Sequence, residues 1–385
     1  GWFRPPAVCE GEGLRISTMA SISQAPPSRT LSGAGSPFAE LLDRHTMPGA
    51  LWRNEGGRIR CLACGHACLI SEGRRGVCKV RFNKGGALHV PSGYVAGLAS
   101  DPVEKKPFFH FLPGSDALTF GMLGCDFHCS YCQNWVTSQA LRDESAVASI
   151  HSTTAEQIVT LAQSHGARMI VSSYNEPLIT AEWAVEVFRQ ARGAGLPCAF
   201  VSNGNLTPEA LEFIRPWMVA YKIDLKSFQD RHYRALGGTL ERVTEGIRMV
   251  HQSGLWLEIV TLLVPGFNSE PSELRAMAGF IASVSRDIPW HITAFHPDYN
   301  LLSSRATTAQ DLIEAAKIGK EAGLRFVYAG NLPGRVSDLE STHCPHCEEL
   351  LIERRGYRVL QRTMQSGHCP RCLERVPGIW EYPLP

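Results

Sequence analysis

The sequence predicts an α/β fold whose core is a parallel, barrel-like sheet. One small cysteine-rich module precedes this sheet in the chain and another follows it. From about Thr119 onward, short apolar runs alternate with amphipathic helical patterns, which is typical of a parallel sheet. The thirteen cysteines fall into three groups, with only Cys9 and Cys198 left over. The 385 residues are enough for one large domain with smaller attachments.

Seven apolar runs are predicted to be buried strands, because each is short and is followed by a helical pattern. They span residues 117–123, 168–173, 198–202, 219–224, 257–264, 291–295 and 325–329. One intervening helix is predicted to begin at Thr153 with Glu156 completing a capping box, and another has Thr207 as N-cap before Pro208. A partial barrel fits this alternation as naturally as a doubly wound sheet, and parallel barrels place their chemistry in the loops after the strands.

The charge balance argues against two broad classes of partner. Lys and Arg number 38 against 37 Asp and Glu, so the chain lacks the strong positive field that wholesale binding to nucleic acid or anionic membranes requires. The chain contains no run of about 18 apolar residues, so no transmembrane helix is predicted. We therefore expect neither nucleic acid nor a membrane as the partner.

The first 46 residues are rich in Pro, Ser and Gly and lack the apolar segment of a secretory signal. Residues 1–48 are interpreted as a disordered tail, in which Met19 and Met47 are both plausible natural starts. Without a secretion signal the thiols should stay reduced, which predicts a cytoplasmic protein. Reduced cysteines two or three residues apart are good metal ligands, whereas most such pairs would make strained disulfides.

Three further regions follow the tail. Residues 49–112 form a predicted N-terminal four-cysteine module, residues 113–335 the core barrel, and residues 336–385 a C-terminal ribbon with paired CxxC motifs. The boundaries follow the grouping of the cysteines and the start and end of the strand–helix alternation.

The C-terminal group is predicted to be a zinc-ribbon-like site. The motifs HCPHC and HCPRC form two CxxC knuckles from Cys344, Cys347, Cys369 and Cys372. Rubredoxin-type iron uses the same spacing, so zinc and iron both remain possible metals. Residues 352–362 between the knuckles are predicted to form a solvated β-hairpin, although their basic and aromatic character also suits nucleic acid.

The N-terminal group spreads four thiols over the segment CLACGHACLISEGRRGVC. These are Cys61, Cys64, Cys68 and Cys78. Zinc or a second iron–sulfur cluster would suit four thiolates. His66 is read as a neighbour rather than a ligand. The favoured interpretation is structural, and an electron relay is the alternative.

The middle group differs because it has three cysteines and no nearby fourth. In GCDFHCSYCQNW, the cysteines are Cys125, Cys129 and Cys132, directly after the first predicted strand. A tetrahedral structural site requires four protein ligands, so a trio indicates a metal centre with one position left open. The alternative is a zinc site completed by a residue such as His128.

Polar segments follow four later strands of the predicted sheet. They are YNEP (174–177), SNGN (202–205), DLK (224–226) and FHPDY (295–299). Each one alone is typical of a solvated loop. Because the strands are parallel, these segments and the cysteine trio should meet at one rim, which indicates an active site.

These motifs resemble a known family. The cysteine trio with Tyr131 resembles the signature of radical S-adenosylmethionine (SAM) enzymes. The stretches GMLGCDFHCSYCQNW, SSYNEPLIT, VSNGN, YKIDLK, WHITAFH and VYAGNLPG resemble the radical SAM component of the AmmeMemoRadiSam system, which is related to pyruvate formate-lyase activating enzymes. The resemblance runs from about Arg60 to Pro377 and implies a partial (β/α)6-type radical SAM barrel.

The resemblance implies a specific chemistry for the trio. Three thiolates would hold a [4Fe–4S] cluster whose fourth iron is chelated by SAM. Reductive cleavage of SAM would then give methionine and a 5′-deoxyadenosyl radical that abstracts hydrogen from an unidentified substrate. The cofactor performs the difficult step, and the protein supplies position, electrostatics and exclusion of water.

The resemblance also assigns contacts with SAM. Tyr131 would meet the adenine, Asn175 and Glu176 the amino group, and Ser202 and Asn203 the ribose. Asp224 and Lys226 match an Asp-Leu-Lys element beside SAM, and His296 matches a histidine near the cofactor. The positions assigned in this way are Tyr131, Asn175, Glu176, Ser202, Asn203, Asp224, Lys226 and His296.

Partners follow from the resemblance alone. It implies Memo-like and AMMECR-like companion proteins and a low-potential electron donor such as a flavodoxin or ferredoxin. Two other functions stay open. One is activation of a glycyl-radical enzyme, and the other is a non-catalytic, metal-stapled module that binds RNA or protein.

Overall fold

The computed structural model describes residues 37–382. Most of the predicted tail, with Met19, lies outside the described residues. Residues 37–48, which the sequence assigned to the same tail, form a short helix and a strand. The folded N-terminal module therefore begins before residue 49.

The N-terminal module is built from short strands. Its elements are α1 (Pro37–Asp43), β1 (Thr46–Pro48), β2 (Trp52–Glu55), β3 (Arg58–Cys61), β4 (Leu69–Ile70), β5 (Phe82–Lys84), β6 (Ala87–Pro91), β7 (Tyr94–Val95) and β8 (Gly97–Pro102). Two antiparallel sheets result, with the orders β1–β6–β5 and β2–β3–β4.

The rest of the chain alternates strands and helices and then ends in a small sheet. Its elements are β9 (Asp116–Gly121), α2 (Trp135–Ser138), β10 (His151–Ser152), α3 (Ala155–Ser164), β11 (Met169–Ser172), α4 (Ala181–Gly193), β12 (Cys198–Ser202), α5 (Pro208–Ile214), β13 (Ala220–Asp224), α6 (Asp230–Leu236), α7 (Leu240–Gln252), β14 (Trp256–Leu263), α8 (Pro271–Val284), β15 (Trp290–Ala294), α9 (Ala309–Glu321), β16 (Val327–Gly330), β17 (Thr342–His343), β18 (Leu350–Arg355) and β19 (Arg358–Arg362). Short 3₁₀ turns cover Val103–Lys105, Pro177–Thr180 and Arg215–Trp217.

The main sheet has eight strands in the order β16–β15–β14–β13–β12–β11–β9–β8. The seven strands of this sheet other than β8 are parallel, and they are the seven predicted ones. The predicted fold class is confirmed. The eighth strand, β8, pairs antiparallel with β9 and was not predicted, because its sequence GLASDP carries little apolar signal and every residue is half-buried.

Of the two predicted helix caps, one is at the predicted residue and the other lies one residue later. Thr207 caps α5 as predicted, with Pro208 in the first turn. The cap of α3 is Thr154 rather than Thr153, and its capping-box partner is Gln157. The sequence TTAEQ allows both registers; Thr153 is instead buried, with its hydroxyl donating to the carbonyl of His151. No helix among the described residues is both long and apolar enough to cross a membrane.

A buried ion pair joins the N-terminal module to the barrel. Arg81 donates to both carboxylate oxygens of Glu182 in α4, at 2.7 and 2.8 Å, and both side chains are buried. The backbone N–H groups of Ala50 and Leu51 also donate to this carboxylate. Burial alone would raise the pKa of Glu182, but the Arg81 charge outweighs it and the pKa is lowered. The module is thus fixed against the barrel by a buried, doubly hydrogen-bonded charge pair.

The C-terminal region forms a three-stranded antiparallel sheet, β17–β18–β19. The predicted hairpin is present, but its solvated character is correct only for the largely exposed β19. Leu351, Ile352 and Arg354 of β18 are buried against the barrel. The Arg354 guanidinium donates to the carbonyl of Phe109 at 2.8 Å and lies over its ring, so the prediction was wrong for β18.

Candidate active site at the rim of the barrel

A cavity of about 400 Å³ lies within the barrel and opens at the carboxyl ends of its strands. Its lining includes the cysteine trio and seven of the eight residues assigned to SAM contacts. Those lining residues are Cys125, Cys129, Cys132, Tyr131, Asn175, Glu176, Ser202, Asn203, Asp224 and Lys226. The barrel thus brings together residues spread over a hundred positions of the chain.

The eighth residue, His296, does not reach the cavity. Its side chain is exposed in the loop after β15, where its ring lies beside the carbonyl of Pro297. A different histidine of the same region, His291 on β15, lines the cavity and is buried. A contact between His296 and the cofactor stays a prediction without support from this geometry.

The trio occupies the cluster loop, defined as residues 124–132. The Cys125 sulfur accepts the N–H of Phe127 at 3.3 Å, and the Cys132 sulfur lies 3.2 Å from the Ser138 hydroxyl. Burial raises the pKa of Cys129 to about 12 in the absence of metal. Metal or cluster binding removes that proton, because the thiolate is the ligand.

The trio is not arranged as a single-ion site. Among the described residues, only the four C-terminal cysteines lie with all ligand atoms within 4.8 Å of one another. A cubane gives each thiolate its own iron, so its sulfurs stand farther apart than those around one ion. His128 does not complete a compact foursome with the trio either. Within the described residues, the compact foursome that the zinc alternative requires is therefore not formed.

Glu176 is held in one orientation at the cavity wall. Its carboxylate accepts the Ser202 hydroxyl at 2.7 Å, the Asn203 N–H at 2.8 Å and the Leu178 N–H at 3.1 Å. Burial, followed by the nearby charge of Asp126, raises its pKa to about 8. A bound cation would reverse this shift, since it stabilises the carboxylate.

The backbone that presents Glu176 is tightly packed. Tyr174 adopts a positive φ of 72°, which is strained for a residue with a side chain. It packs on Gly121 at the end of β9, where a Cβ atom would lie 2.5 Å from the carbonyl of Ser173. Asn175 accepts the Met122 N–H at 2.9 Å through its side-chain oxygen. The YNEP segment is therefore fixed against the first barrel strand.

Asp224 faces two lysines. Its oxygens pair with the ammonium groups of Lys222 at 2.5 Å and Lys226 at 3.0 Å. Burial opposes ionisation, but the two lysine charges prevail and lower the pKa of Asp224 to about 2. Lys222 and Lys226 therefore supply positive charge to the Asp224 carboxylate at the cavity wall.

Comparison with known proteins agrees with this geometry. An uncharacterized protein of Methanocaldococcus jannaschii is 34% identical over 326 residues, which cover 84% of this chain and 96% of that protein. The family model described as the radical SAM superfamily matches residues 120–278.

The chain belongs to the radical SAM superfamily.

Two solved structures are among those it resembles. A domain of the pyruvate-formate lyase-activating enzyme from Bacteroides vulgatus is 18% identical, with a TM-score of 0.39 over 42% of this chain and 99% of that one. A radical SAM methyltransferase from Sphaerobacter thermophilus is 15% identical, with a TM-score of 0.46 over 81% and 84% of the two chains.

The residues of this radical SAM protein fit the cofactors that its family implies. The Tyr131 hydroxyl is buried at the cavity and has no hydrogen-bond partner among the described residues. A buried polar atom of this kind is unusual unless a ligand satisfies it. Three thiols for a cluster and the oriented carboxylate of Glu176 line the same space. The donor set therefore suits a [4Fe–4S] cluster and SAM.

Asp126 is a site residue that the sequence analysis passed over. It lies inside the cluster loop, is buried, and accepts the side-chain amides of Asn203 at 2.7 Å and Asn205 at 2.8 Å. The stretch GCDFHC could have indicated it, because Asp126 directly follows Cys125 and lies between two of the spaced cysteines. Asp126 ties the cluster loop to the segment after β12.

The deep end of the cavity carries a second unassigned carboxylate. Glu104 is fully buried, and one of its oxygens accepts the Gly114 N–H at 2.9 Å and Arg354 Nε at 3.4 Å. Its other oxygen has no partner within residues 37–382. Burial raises the pKa of Glu104. No motif marks this residue, because its partners are distant in the chain.

The C-terminal hairpin forms part of the cavity wall. Gly356 and Tyr357, at the turn between β18 and β19, line the cavity. The Tyr357 hydroxyl donates to the side chain of Asn331 at 3.0 Å, and Glu340 accepts the Gly356 N–H at 2.8 Å. The ribbon is thus joined to the site, a connection that CxxC spacing alone does not predict.

The C-terminal cysteines form a compact metal-binding group. The sulfurs of Cys344 and Cys372 lie 3.5 Å apart, and those of Cys347 and Cys369 lie 3.6 Å apart. All four ligand atoms fall within 4.8 Å of one another, as a single tetrahedral ion requires. These distances suit zinc and iron equally, so the identity of the metal stays open.

Proposed function

We propose that this protein cleaves SAM reductively at a [4Fe–4S] cluster on Cys125, Cys129 and Cys132 and abstracts hydrogen from a small substrate. One observation carries the proposal. A single cavity contains the cluster loop at one end and a separately lined, polar and aromatic space at the other. SAM and a substrate can therefore share one enclosed volume, as hydrogen transfer requires.

Each group at the SAM end has a distinct task. The three thiolates hold the cluster, and Glu176 accepts hydrogen bonds from the amino group of SAM. Ser202 and Asn203 already orient this carboxylate, so it needs little reorganisation when the ligand binds. When bound, the cluster and SAM supply the 5′-deoxyadenosyl radical, and the protein provides position and exclusion of water.

The deep end would bind the substrate. Glu104 offers one carboxylate oxygen that has no partner among the described residues. Lys106 is buried, paired with Asp101 at 3.0 Å and placed over the Tyr174 ring. His291 on the barrel wall is held by Glu258 at 2.6 Å. These groups suit a small polar substrate with at least one hydrogen-bond donor for Glu104.

The biological setting is part of the proposal. The six stretches that resemble the AmmeMemoRadiSam component support membership in that system, with Memo-like and AMMECR-like partners. A flavodoxin or ferredoxin would supply low-potential electrons. A cytoplasmic location agrees with twelve reduced cysteines among the described residues.

The proposal can be tested by anaerobic reconstitution with iron and sulfide, followed by SAM and dithionite. We expect 5′-deoxyadenosine and methionine in equal amounts. The variant in which alanine replaces all three cysteines of the cluster loop is the control and should form neither. Product formation by that variant, or none by the reconstituted wild-type chain, would refute the proposal.

A further inference from the structure

The N-terminal cysteine loop, residues 61–78, lies directly against the cluster loop. His66 Nε2 is 3.2 Å from the carbonyl oxygen of Asp126, the residue after Cys125. Gly124 has a positive φ of 94°, and a Cβ atom there would lie 3.1 Å from the carbonyl oxygen of Cys78. The N-terminal cysteine loop therefore contacts the cluster loop at two points, through His66 and through Cys78, and both contacts are made with residues beside Cys125.

Arg142 donates a hydrogen bond to each of the two loops. Its guanidinium donates to the carbonyl of Val77, next to Cys78, at 2.5 Å and to the carbonyl of Phe127 in the cluster loop at 2.7 Å. These contacts keep the two groups of cysteines close together. Proximity of this kind favours electron transfer, because its rate falls steeply with distance.

The backbone around the N-terminal cysteines has the form of a metal-binding loop. In the C-terminal group, the residue after the second cysteine of each CxxC pair adopts a positive φ: 61° for Glu348 and 63° for Leu373. Lys79, directly after Cys78, has a φ of 68°, and Ala67, directly before Cys68, has a φ of 43°. Strain of this kind persists where the surrounding structure requires it, as at ligand sites.

Three of the four N-terminal thiols are buried, and the fourth accepts a backbone hydrogen bond. Cys61, Cys64 and Cys78 are buried, and Cys68 is half-buried with its sulfur accepting the Val77 N–H at 3.5 Å. N–H donors to cysteine sulfur are a means by which proteins adjust the reduction potential of a cluster.

The spacing of these thiols is compatible with a cluster. Unlike the C-terminal four, the N-terminal four do not place three or more ligand atoms within 4.8 Å of one another, which is the spacing of a single ion. Cys125, Cys129 and Cys132 lack that single-ion spacing as well. A cubane does not require it, because each thiolate binds a separate iron.

We propose that Cys61, Cys64, Cys68 and Cys78 bind a second [4Fe–4S] cluster that relays electrons to the cluster loop. A low-potential donor of the flavodoxin or ferredoxin class reduces the N-terminal cluster by one electron. That electron then passes to the cluster at Cys125, so the N-terminal cluster is reoxidised and no bond or proton is lost. The relay rests on the proposed function, but the existence of the second cluster does not.

Iron counting tests the cluster independently of SAM chemistry. Two cubanes predict roughly eight irons per chain after anaerobic reconstitution. The variant with Cys64→Ala and Cys78→Ala should retain about half of this iron, and so should the variant lacking the three cysteines of the cluster loop. Cys198→Ala, which removes a buried cysteine outside the three groups, should keep all of it.

Spectroscopy then distinguishes the clusters. In the variant lacking the cluster-loop cysteines, dithionite should give a reduced-cluster EPR signal that SAM does not change. In the Cys64→Ala, Cys78→Ala variant, the remaining signal should still respond to SAM, which also shows that the barrel is folded. Zinc in place of iron at the N-terminal cysteines would overturn the second cluster. So would a variant lacking the cluster-loop cysteines that holds no more iron than the single ion that the C-terminal cysteines can bind.

The relay is tested by changing the reductant. With reduced flavodoxin, the Cys64→Ala, Cys78→Ala variant should lose most SAM cleavage, whereas dithionite, a small reductant, should restore it. The Cys198→Ala protein should behave as wild type with both. If the N-terminal variant cleaves SAM at the wild-type rate with flavodoxin, the relay is wrong even if the second cluster exists.

Discussion

The C-terminal cysteine group and the cluster loop both collect thiols, but they present them in opposite ways. The C-terminal four close on one another, with sulfur pairs at 3.5 and 3.6 Å. The three thiols of the cluster loop instead line a cavity of about 400 Å³ beside Glu176 and Asp224. A metal site with all its protein ligands stabilises structure, whereas one with an open position can bind a reactant.

The largest effect should come from removing the three thiols of the cluster loop, which form the site with an open position. Replacing Cys125, Cys129 and Cys132 by alanine should abolish SAM cleavage and the SAM-responsive spectrum. The thermal midpoint of the iron-free protein should change little, because the hydrogen bonds of the Cys125 and Cys132 sulfurs, with the Phe127 N–H and the Ser138 hydroxyl, join residues close together in the chain. Calorimetry of the iron-free proteins together with the 5′-deoxyadenosine assay measures both. A large loss of stability without iron would give the trio a structural role.

Removing the C-terminal metal site should lower stability and leave SAM binding intact. In the variant with Cys344→Ala and Cys369→Ala, one zinc or iron should be lost and the thermal midpoint should fall, because structural metal binding contributes folding free energy. The cluster loop should still bind SAM. Elemental analysis and thermal unfolding check this, and unchanged metal content would contradict a ribbon.

Glu176→Gln should have an intermediate effect confined to SAM. A charge-assisted hydrogen bond contributes roughly 1.5–3 kcal/mol, so SAM affinity should fall by about ten- to a hundredfold while iron content stays constant. The exposed Glu186→Gln on α4 is a matched control and should leave affinity unchanged. Titration of SAM against the cluster spectrum measures both variants, and wild-type affinity for Glu176→Gln would remove Glu176 from the SAM site.

The raised pKa of Glu176 adds a pH dependence. Since burial raises this pKa to about 8, the ligand-free carboxyl is increasingly protonated as the pH falls below that value. A SAM amino group requires the carboxylate, so SAM affinity should weaken as the pH is lowered from 9 to about 6. The Glu176→Gln protein should show a flatter profile, and identical profiles would assign the dependence to another group.

Asp224→Asn should impair cleavage without loss of iron. The change removes the charge that pairs with Lys222 and Lys226 and leaves two ammonium groups beside the cluster. A surplus of positive charge there should disturb the bound SAM, which carries a sulfonium. The check is 5′-deoxyadenosine formation at saturating SAM, with iron content as control. Wild-type turnover would show that Asp224 is an ordinary loop carboxylate.

The smallest effect on SAM should come from Glu104→Gln at the deep end. Because Glu104 lies at the end of the cavity assigned to substrate, SAM affinity and cleavage without substrate should stay at wild-type values. A marked change in either would show that the SAM and substrate ends of the cavity are not separate.

The main sheet could be predicted because its strands are buried on both faces and read as apolar runs. Spacing also grouped the four C-terminal cysteines, whose ligand atoms lie within 4.8 Å of one another. Lys222 was missed because it lies within an apolar run, where no motif indicates that its side chain lines the cavity. Glu104 was missed because Gly114 and Arg354, which orient it, meet it only in the folded chain.

His296 shows the limit of assigning a role by resemblance. The motif WHITAFH contains two histidines, and β15 ends at Ala294 between them. His291 lies on the strand and faces the cavity, whereas His296 follows the strand and is exposed. The predicted strand, 291–295, ends within one residue of the observed one, so the strand end was not the difficulty. What the motif did not show is that the His296 side chain is exposed rather than part of the cavity lining.

The central claim is that SAM binds to an open iron held by the cluster loop. The most direct measurement is the EPR spectrum of the reduced protein with and without SAM, recorded in the Cys64→Ala, Cys78→Ala variant so that only the cluster-loop signal is observed. We predict that SAM shifts the signal and that Glu176→Gln requires more SAM for the same shift. A signal that SAM leaves unchanged would contradict the claim.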